Sequence, residues 1–147
     1  MNENIFKKEY LCFVDGILDE KSGKIDLPIG RKPGSIIERC IDENGQKSIT
    51  LYNVLQEFKG NPQKDIPPFS LVSCILETGR THQIRVHFSS IGHPLLGDTL
   101  YGKPSHLISR QALHSYRVSF IHPITKKEQC FTCPLPNDMK DLLGEKL

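Results

Sequence analysis

The sequence predicts an α+β domain: a mixed, largely antiparallel sheet with one central amphipathic helix and a short C-terminal helix. Three observations point there. Short runs rich in β-branched and aromatic residues recur along the chain, separated by Gly, Pro and Asn turns. One segment, residues 81–92, carries a helical stripe. Residues 137–146 contain a second, weaker helical pattern. At 147 residues the chain is long enough for one domain and short for two, so residues 1–147 are expected to fold as one unit.

Residues 9–18, EYLCFVDGIL, lack a helical stripe and read as a strand ending near Gly16. A Gly- and Pro-bearing loop is expected from Lys21 to Ser35. Residues 36–42 and 47–58 flank Asn44-Gly45, a strong tight-turn signal, and predict a hairpin. KGNPQKDIPP (59–68) is a polar connection. In FSLVSCILET (69–78), Val72, Cys74 and Leu76 share one face while Leu71 and Ile75 share the other. Apolar side chains on both faces predict an interior strand. Gly79 breaks it. Thr81 is an acceptable N-cap and Gly92 a good C′ residue, with Ile84, Phe88 and Ile91 at i, i+4, i+7 between them. His82, Arg85 and Ser89 fall on the opposite side of that helix. Residues 111–121, QALHSYRVSFI, alternate with period two, and His122 to Lys127 turns the chain into a second hairpin with EQCFTCPL. NDMKDLLGEK (137–146) reads as a short terminal helix.

Composition narrows the function. Apolar residues make up 37% and charged residues 24%, as in a globular protein, and no apolar run approaches the roughly 20 residues that span a bilayer. The N-terminal segment has no signal-peptide core. Five scattered cysteines read as reduced thiols in a cytoplasmic protein. A net charge of +2 does not by itself predict nucleic-acid binding. Basic residues do cluster locally, at Arg31, Lys32 and Arg39, at Arg80 and Arg85, and at Lys103, Arg110 and Arg117.

Residues 76–98, LETGRTHQIRVHFSSIGHPLLGD, concentrate the chemistry. His82 and His87 lie about 140° apart around a helix, so they do not chelate one ion, and His93 precedes a proline beyond it. These histidines are better read as hydrogen-bonding to nearby backbone and carboxylates, and the residues give little support to a metal site. Cys130-Phe-Thr-Cys133 has CxxC spacing but no second half-site, and reads as two half-buried thiols. Gly79-Arg80-Thr81, opening a helix, could hold a single phosphate through free N–H groups, although no nucleotide-loop pattern is present. Arg85, between Ile84 and Val86, requires a carboxylate or phosphate partner wherever its head is buried. The alternative is an arginine whose stem covers apolar surface while its head reaches water.

ETGRTHQIRVHFSSIGHPLLGDTLYG (77–102) closely resembles the hallmark segment of the RluA/RluD-type pseudouridine synthases. The resemblance extends to the strand around Tyr10, to Leu27-Pro28-Ile29 with Arg31, to Ser48–Val54, to residues 110–126 and to CPLPNDMKDLL (133–143). It implies isomerisation of uridine to pseudouridine in ribosomal or transfer RNA, without metal or organic cofactor. By resemblance, Tyr10 matches the active-site tyrosine that stacks under the target uracil, and Arg85 the arginine that pairs with the catalytic aspartate. Ile84, Leu95 and Leu96 match a cleft-lining neighbourhood. Arg80, Thr81, His82, Gln83, Arg31, Lys32 and Arg117 become candidate substrate or RNA contacts.

The sequence departs from the family at one point. The family's catalytic aspartate lies in an R-L-D segment well before the tyrosine strand, and no R-L-D occurs here. The expectation is therefore the C-terminal half of a catalytic domain, inactive alone, with apolar surface exposed where the other half would pack and a route to self-association through it. Two other classes compete: a non-catalytic RNA-binding remnant, and a stranded fragment that is unstable without a partner.

Overall fold

The computed structural model describes residues 6–144. Eight strands and two helices follow in the order β1 (Phe6–Asp15), β2 (Ser22–Asp26), β3 (Ile29–Arg31), β4 (Arg39–Ile41), β5 (Ile49–Phe58), β6 (Phe69–Leu76), α1 (Gln83–Ser90), β7 (Leu113–Ile121), β8 (Glu128–Thr132) and α2 (Asn137–Lys140). Six strands form one sheet in the order β2-β5-β6-β1-β7-β8, and β3 pairs with β4 as a separate two-stranded ribbon. Every pairing is antiparallel.

The alternation of side chains along β1 and β6 divides the core in two. Leu11, Phe13, Phe69 and Leu71 point to one face, where Leu96, Leu107, Ile108, Ala112, Met139 and Leu142 cover them. Cys12, Val14, Val72 and Cys74 point to the other, under Ile84 and Phe88 of α1 and under Leu95. Strand β6 is interior, between β5 and β1, as its two apolar faces predict. The C-terminal α2 docks through the fully buried Met139, and a two-pronged ion pair from Arg110 to Asp138 ties it to the preceding loop. Among the described residues, no helix is long and apolar enough to cross a membrane.

Three local expectations are corrected. The Asn44-Gly45 turn exists, closed by Gly45 N–H donating to the Asp42 carbonyl, but it does not join a hairpin. Its N-terminal arm, β4, pairs back with β3, and its C-terminal arm, β5, pairs with β2 and β6. A tight-turn signal fixes where the chain reverses and leaves open which strands then pair. Residues 21–35 are accordingly no plain loop, since they contain β2 and β3. Cys130 and Cys133 lie on or beside the edge strand β8 and are exposed rather than half-buried.

Candidate active site

The helix that carries Gln83, Ile84 and Arg85 is shorter than its stripe suggests. It starts at Gln83, and its N-cap is His82, in the left-handed region at φ 57°, rather than Thr81. No side chain caps it in the usual way. Instead Gln83 turns back, its Oε1 accepting from the Arg80 N–H and the Thr78 hydroxyl while its amide donates to the Ile49 carbonyl and the Thr50 hydroxyl. At the other end Gly92, at φ 88°, closes a Schellman turn. There His93 N–H reaches the Phe88 carbonyl and Gly92 N–H the Ser89 carbonyl. Ile84 and Phe88 are buried as expected, whereas Ile91 is 37% exposed because the helix has already ended.

The polar side of α1 packs on the turn at residues 98–101. Arg85 donates from Nε and Nη2 to the two carboxylate oxygens of Asp98, at 2.8 and 2.9 Å. Asp98 is fully buried, and its Oδ1 also accepts from the Leu100 and Tyr101 amides. Burial pushes the Asp98 carboxyl upward, but the Arg85 hydrogen bonds and the two amides outweigh it and hold it below the usual carboxylate range. The same contacts raise the Arg85 guanidinium against the opposing effect of burial. Gly97 makes the turn possible. Its φ is 74°, and a Cβ there would lie 2.2 Å from the Arg110 carbonyl oxygen. The partner that Arg85 requires is thus supplied within the chain. Its Nη1 has no partner among the described residues.

Tyr10 comes to the same place from the sheet. A β-bulge between Glu9 and Tyr10, against β7, sits directly beside it. Bulges of this kind re-aim side chains near functional sites. Tyr10 and Arg85 line one cleft of about 330 Å³ together with Leu76, Arg80, His82, Gln83, Ile84, Gln111 and Leu113. No carboxylate is among these lining residues. The arrangement offers an aromatic face, a guanidinium with a free nitrogen and an apolar floor, which suits a planar, polar-edged ring.

The remaining candidates divide. Arg80 borders this cleft but spends its guanidinium on the Lys47 carbonyl. Thr81, Arg31 and Arg80 line an adjacent polar hollow of about 490 Å³ with Arg39 and Asp42, on the β3–β4 ribbon. Lys32 pairs with Glu38 on that ribbon. Leu95 and Leu96 do not line the cleft. They are buried on opposite faces of the sheet, because the extended segment after α1 contributes one side chain to each core cluster. Arg117 is also elsewhere. It pairs with Glu9, whose other oxygen accepts from Ser73, placing both on the Leu71 face, away from Tyr10. His87 is buried between the Thr50 hydroxyl and the Leu27 carbonyl, and His93 reaches the Asp15 carbonyl. The histidine partners are hydroxyls and carbonyls, not carboxylates. Asp98 and Tyr101 were the residues that sequence reasoning missed. The signal for them was the D-x-x-Y turn, in which an Asp side chain commonly accepts from amides two and three residues on.

A family model for RNA pseudouridylate synthases matches residues 1–90, and the chain belongs to that family. It is 48% identical over 139 residues to the uncharacterized RNA pseudouridine synthase YjbO of Bacillus subtilis, covering 95% of this chain and 46% of that protein. It is 40% identical over 152 residues to the ribosomal large subunit pseudouridine synthase D of Nitrosomonas europaea, covering 97% of this chain and 42% of that protein. The chain therefore spans less than half the length of these relatives. Its fold is similar to that of human RNA pseudouridylate synthase domain containing 1, with a TM-score of 0.75 and 31% identity, covering 93% of this chain and 58% of that one.

Proposed function

We propose that this chain forms the tyrosine–arginine wall of a cytoplasmic RNA pseudouridine synthase acting on uridine in ribosomal or transfer RNA. The observation that carries this reading is the cleft shared by Tyr10 and Arg85. A uracil flipped from its stack lies against the Tyr10 ring. The Nη1 edge of Arg85, left open by Asp98, holds a second carboxylate and keeps it ionised. That carboxylate is the nucleophile. Its oxygen bonds to C1′ as the N1–C1′ bond breaks, the base turns, C5 bonds to C1′ as the carboxylate leaves, and the proton lost from C5 balances the one gained at N1.

Asp98 does not serve as that nucleophile. It is fully buried, with both oxygens occupied. No carboxylate lines the cleft, and in this reading the nucleophile comes from a segment outside the described residues, with residues 1–147 acting as the C-terminal part of a catalytic domain. Exposed Phe131 on the edge strand β8, together with Ile36 and Ile37 on the ribbon, offers surface to that segment or to a second copy.

A chimera tests the reading. The matching segment of the Nitrosomonas europaea synthase is replaced by this chain, and tritium release is measured from RNA labelled at uridine C5. Release by the chimera, abolished by Arg85→Ala, is expected. A folded but inactive chimera beside an active parent would instead favour an RNA-binding remnant.

A further inference from the structure

One residue of the cleft is held in a way that packing does not explain. His82 has a left-handed backbone, φ 57° and ψ 21°, at the start of α1, yet its side chain caps nothing. Such a conformation is uncommon for a residue with a Cβ and persists where surrounding contacts enforce it. Its ring Nδ1 lies 2.7 Å from the Tyr101 hydroxyl in a hydrogen bond.

Tyr101 is itself fixed on every side. Its amide donates to Asp98 Oδ1, and its carbonyl accepts from the Ser89 hydroxyl at 2.7 Å. The Arg85 guanidinium lies 5.1 Å from the centre of its ring. Its hydroxyl oxygen accepts the Arg39 N–H of the β3–β4 ribbon at 2.9 Å. Among the described residues the phenol proton has one acceptor within reach, His82 Nδ1. This assignment satisfies the Tyr101 hydroxyl and His82 Nδ1 and leaves Nε2–H open, whereas a protonated Nδ1 would leave the phenol proton without an acceptor among the described residues. On this assignment of the hydrogens, Nδ1 accepts and Nε2 carries the hydrogen.

We propose that His82 presents a tautomer-locked Nε2–H to a substrate oxygen in the Tyr10–Arg85 cleft, a uracil carbonyl or an adjoining phosphate, and that Tyr101 is the positioning residue that fixes it. The substrate half rests on the pseudouridine synthase reading. The geometry fits the role. The imidazole lines the cleft, and its Nε2 has no partner among the described residues. The charged and titratable groups around it are Arg85, Arg39, Asp98 and Tyr101. Burial first, then Arg85 and Arg39, lower the pKa of His82 against the smaller opposing effect of Asp98, so the ring is neutral at physiological pH. Tyr101 also joins the ribbon to the cleft, because one hydroxyl contacts Arg39 on the first and His82 in the second.

Two readouts decide the matter. In long-range 1H–15N spectra of the wild-type chain near neutral pH, His82 should show an unprotonated Nδ1 and a protonated Nε2, and Tyr101→Phe should mix the tautomers. A protonated Nδ1 in the wild type overturns the proposal without reference to RNA. The second readout is affinity for a uridine-containing RNA hairpin. The amide of glutamine reproduces the Nε2 donor, whereas that of asparagine reaches only the Nδ1 position. His82→Gln should therefore bind nearly as wild type and His82→Asn roughly tenfold more weakly, as for one lost hydrogen bond. Equal binding by wild type and His82→Asn overturns the proposal alone. Failure of the wild type to bind the hairpin overturns its substrate half together with the reading beneath it, while the spectra still judge the tautomer lock.

Discussion

The α1 wall and the β3–β4 ribbon both present arginines to neighbouring hollows, and they hold them in opposite ways. Arg85 is clamped by a fully buried carboxylate, with its own side chain 13% exposed. On the ribbon, Arg31 is exposed, Arg39 leans on the carbonyls of Ile36, Ile37 and Glu38, and Lys32 shares a surface pair with Glu38. A buried clamp fixes direction, which chemistry on one base requires. Surface charges on a two-stranded ribbon supply attraction to a phosphate backbone with little directional demand. In the proposed function, the contrast separates a catalytic wall from an electrostatic one.

The largest effect should come from breaking the clamp. Asp98→Ala strands a largely buried guanidinium and is expected to cost about 3–5 kcal/mol in urea unfolding. Asp98→Asn keeps the shape and should cost less. A loss below about 1 kcal/mol for Asp98→Ala would place Arg85 with the surface charges.

Next in size is His87, on the inner side of the same helix, buried against Thr50 and Leu27. His87→Ala should cost roughly 2–4 kcal/mol, combining a cavity with unpaired partners.

Both buried groups also set a pH dependence. Burial lowers the pKa of His87 despite the Leu27 carbonyl, so the folded state resists its protonation. As pH falls below the unfolded histidine value, about 6.5, the unfolded chain binds the proton first and stability declines. Asp98, held below its ordinary range, adds a second decline as pH drops through about 4 and then through its lower folded value. A pH series of urea midpoints should show both steps. Asp98→Asn should flatten the lower one and leave the upper.

The smallest stability effect belongs to the ribbon. Arg31→Ala should change folding by less than about 0.5 kcal/mol. It should nonetheless weaken RNA binding and reduce the slope of log affinity against log salt by about one. A fluorescence titration at several salt concentrations measures both quantities.

This division of labour was only half legible in the sequence. Periodicity placed β6 inside the sheet, and Gly92 marked the helix end, because both signals are local. It also put His82, Arg85 and Ser89 on one polar face. It could not show that this face meets the 98–101 turn, since nothing local says which turn folds back onto which helix. The same gap hid the β3–β4 pairing behind the Asn44-Gly45 turn. The resemblance puts Leu95 and Leu96 in one cleft-lining neighbourhood, but adjacent side chains in an extended segment point opposite ways and enter different core clusters. Arg85 was the most informative residue. The cost of burying an arginine called for a carboxylate or a phosphate, and Asp98, thirteen residues on, is the carboxylate that meets it.

That finding sharpens the central claim. Asp98, the carboxylate that orients Arg85, is present, and under the proposed function it is not the one that reacts. Tritium release from C5-labelled uridine in RNA, measured with this chain alone under conditions where it binds the RNA, tests this most directly. The account predicts binding without release above background. Turnover by the isolated chain would contradict it.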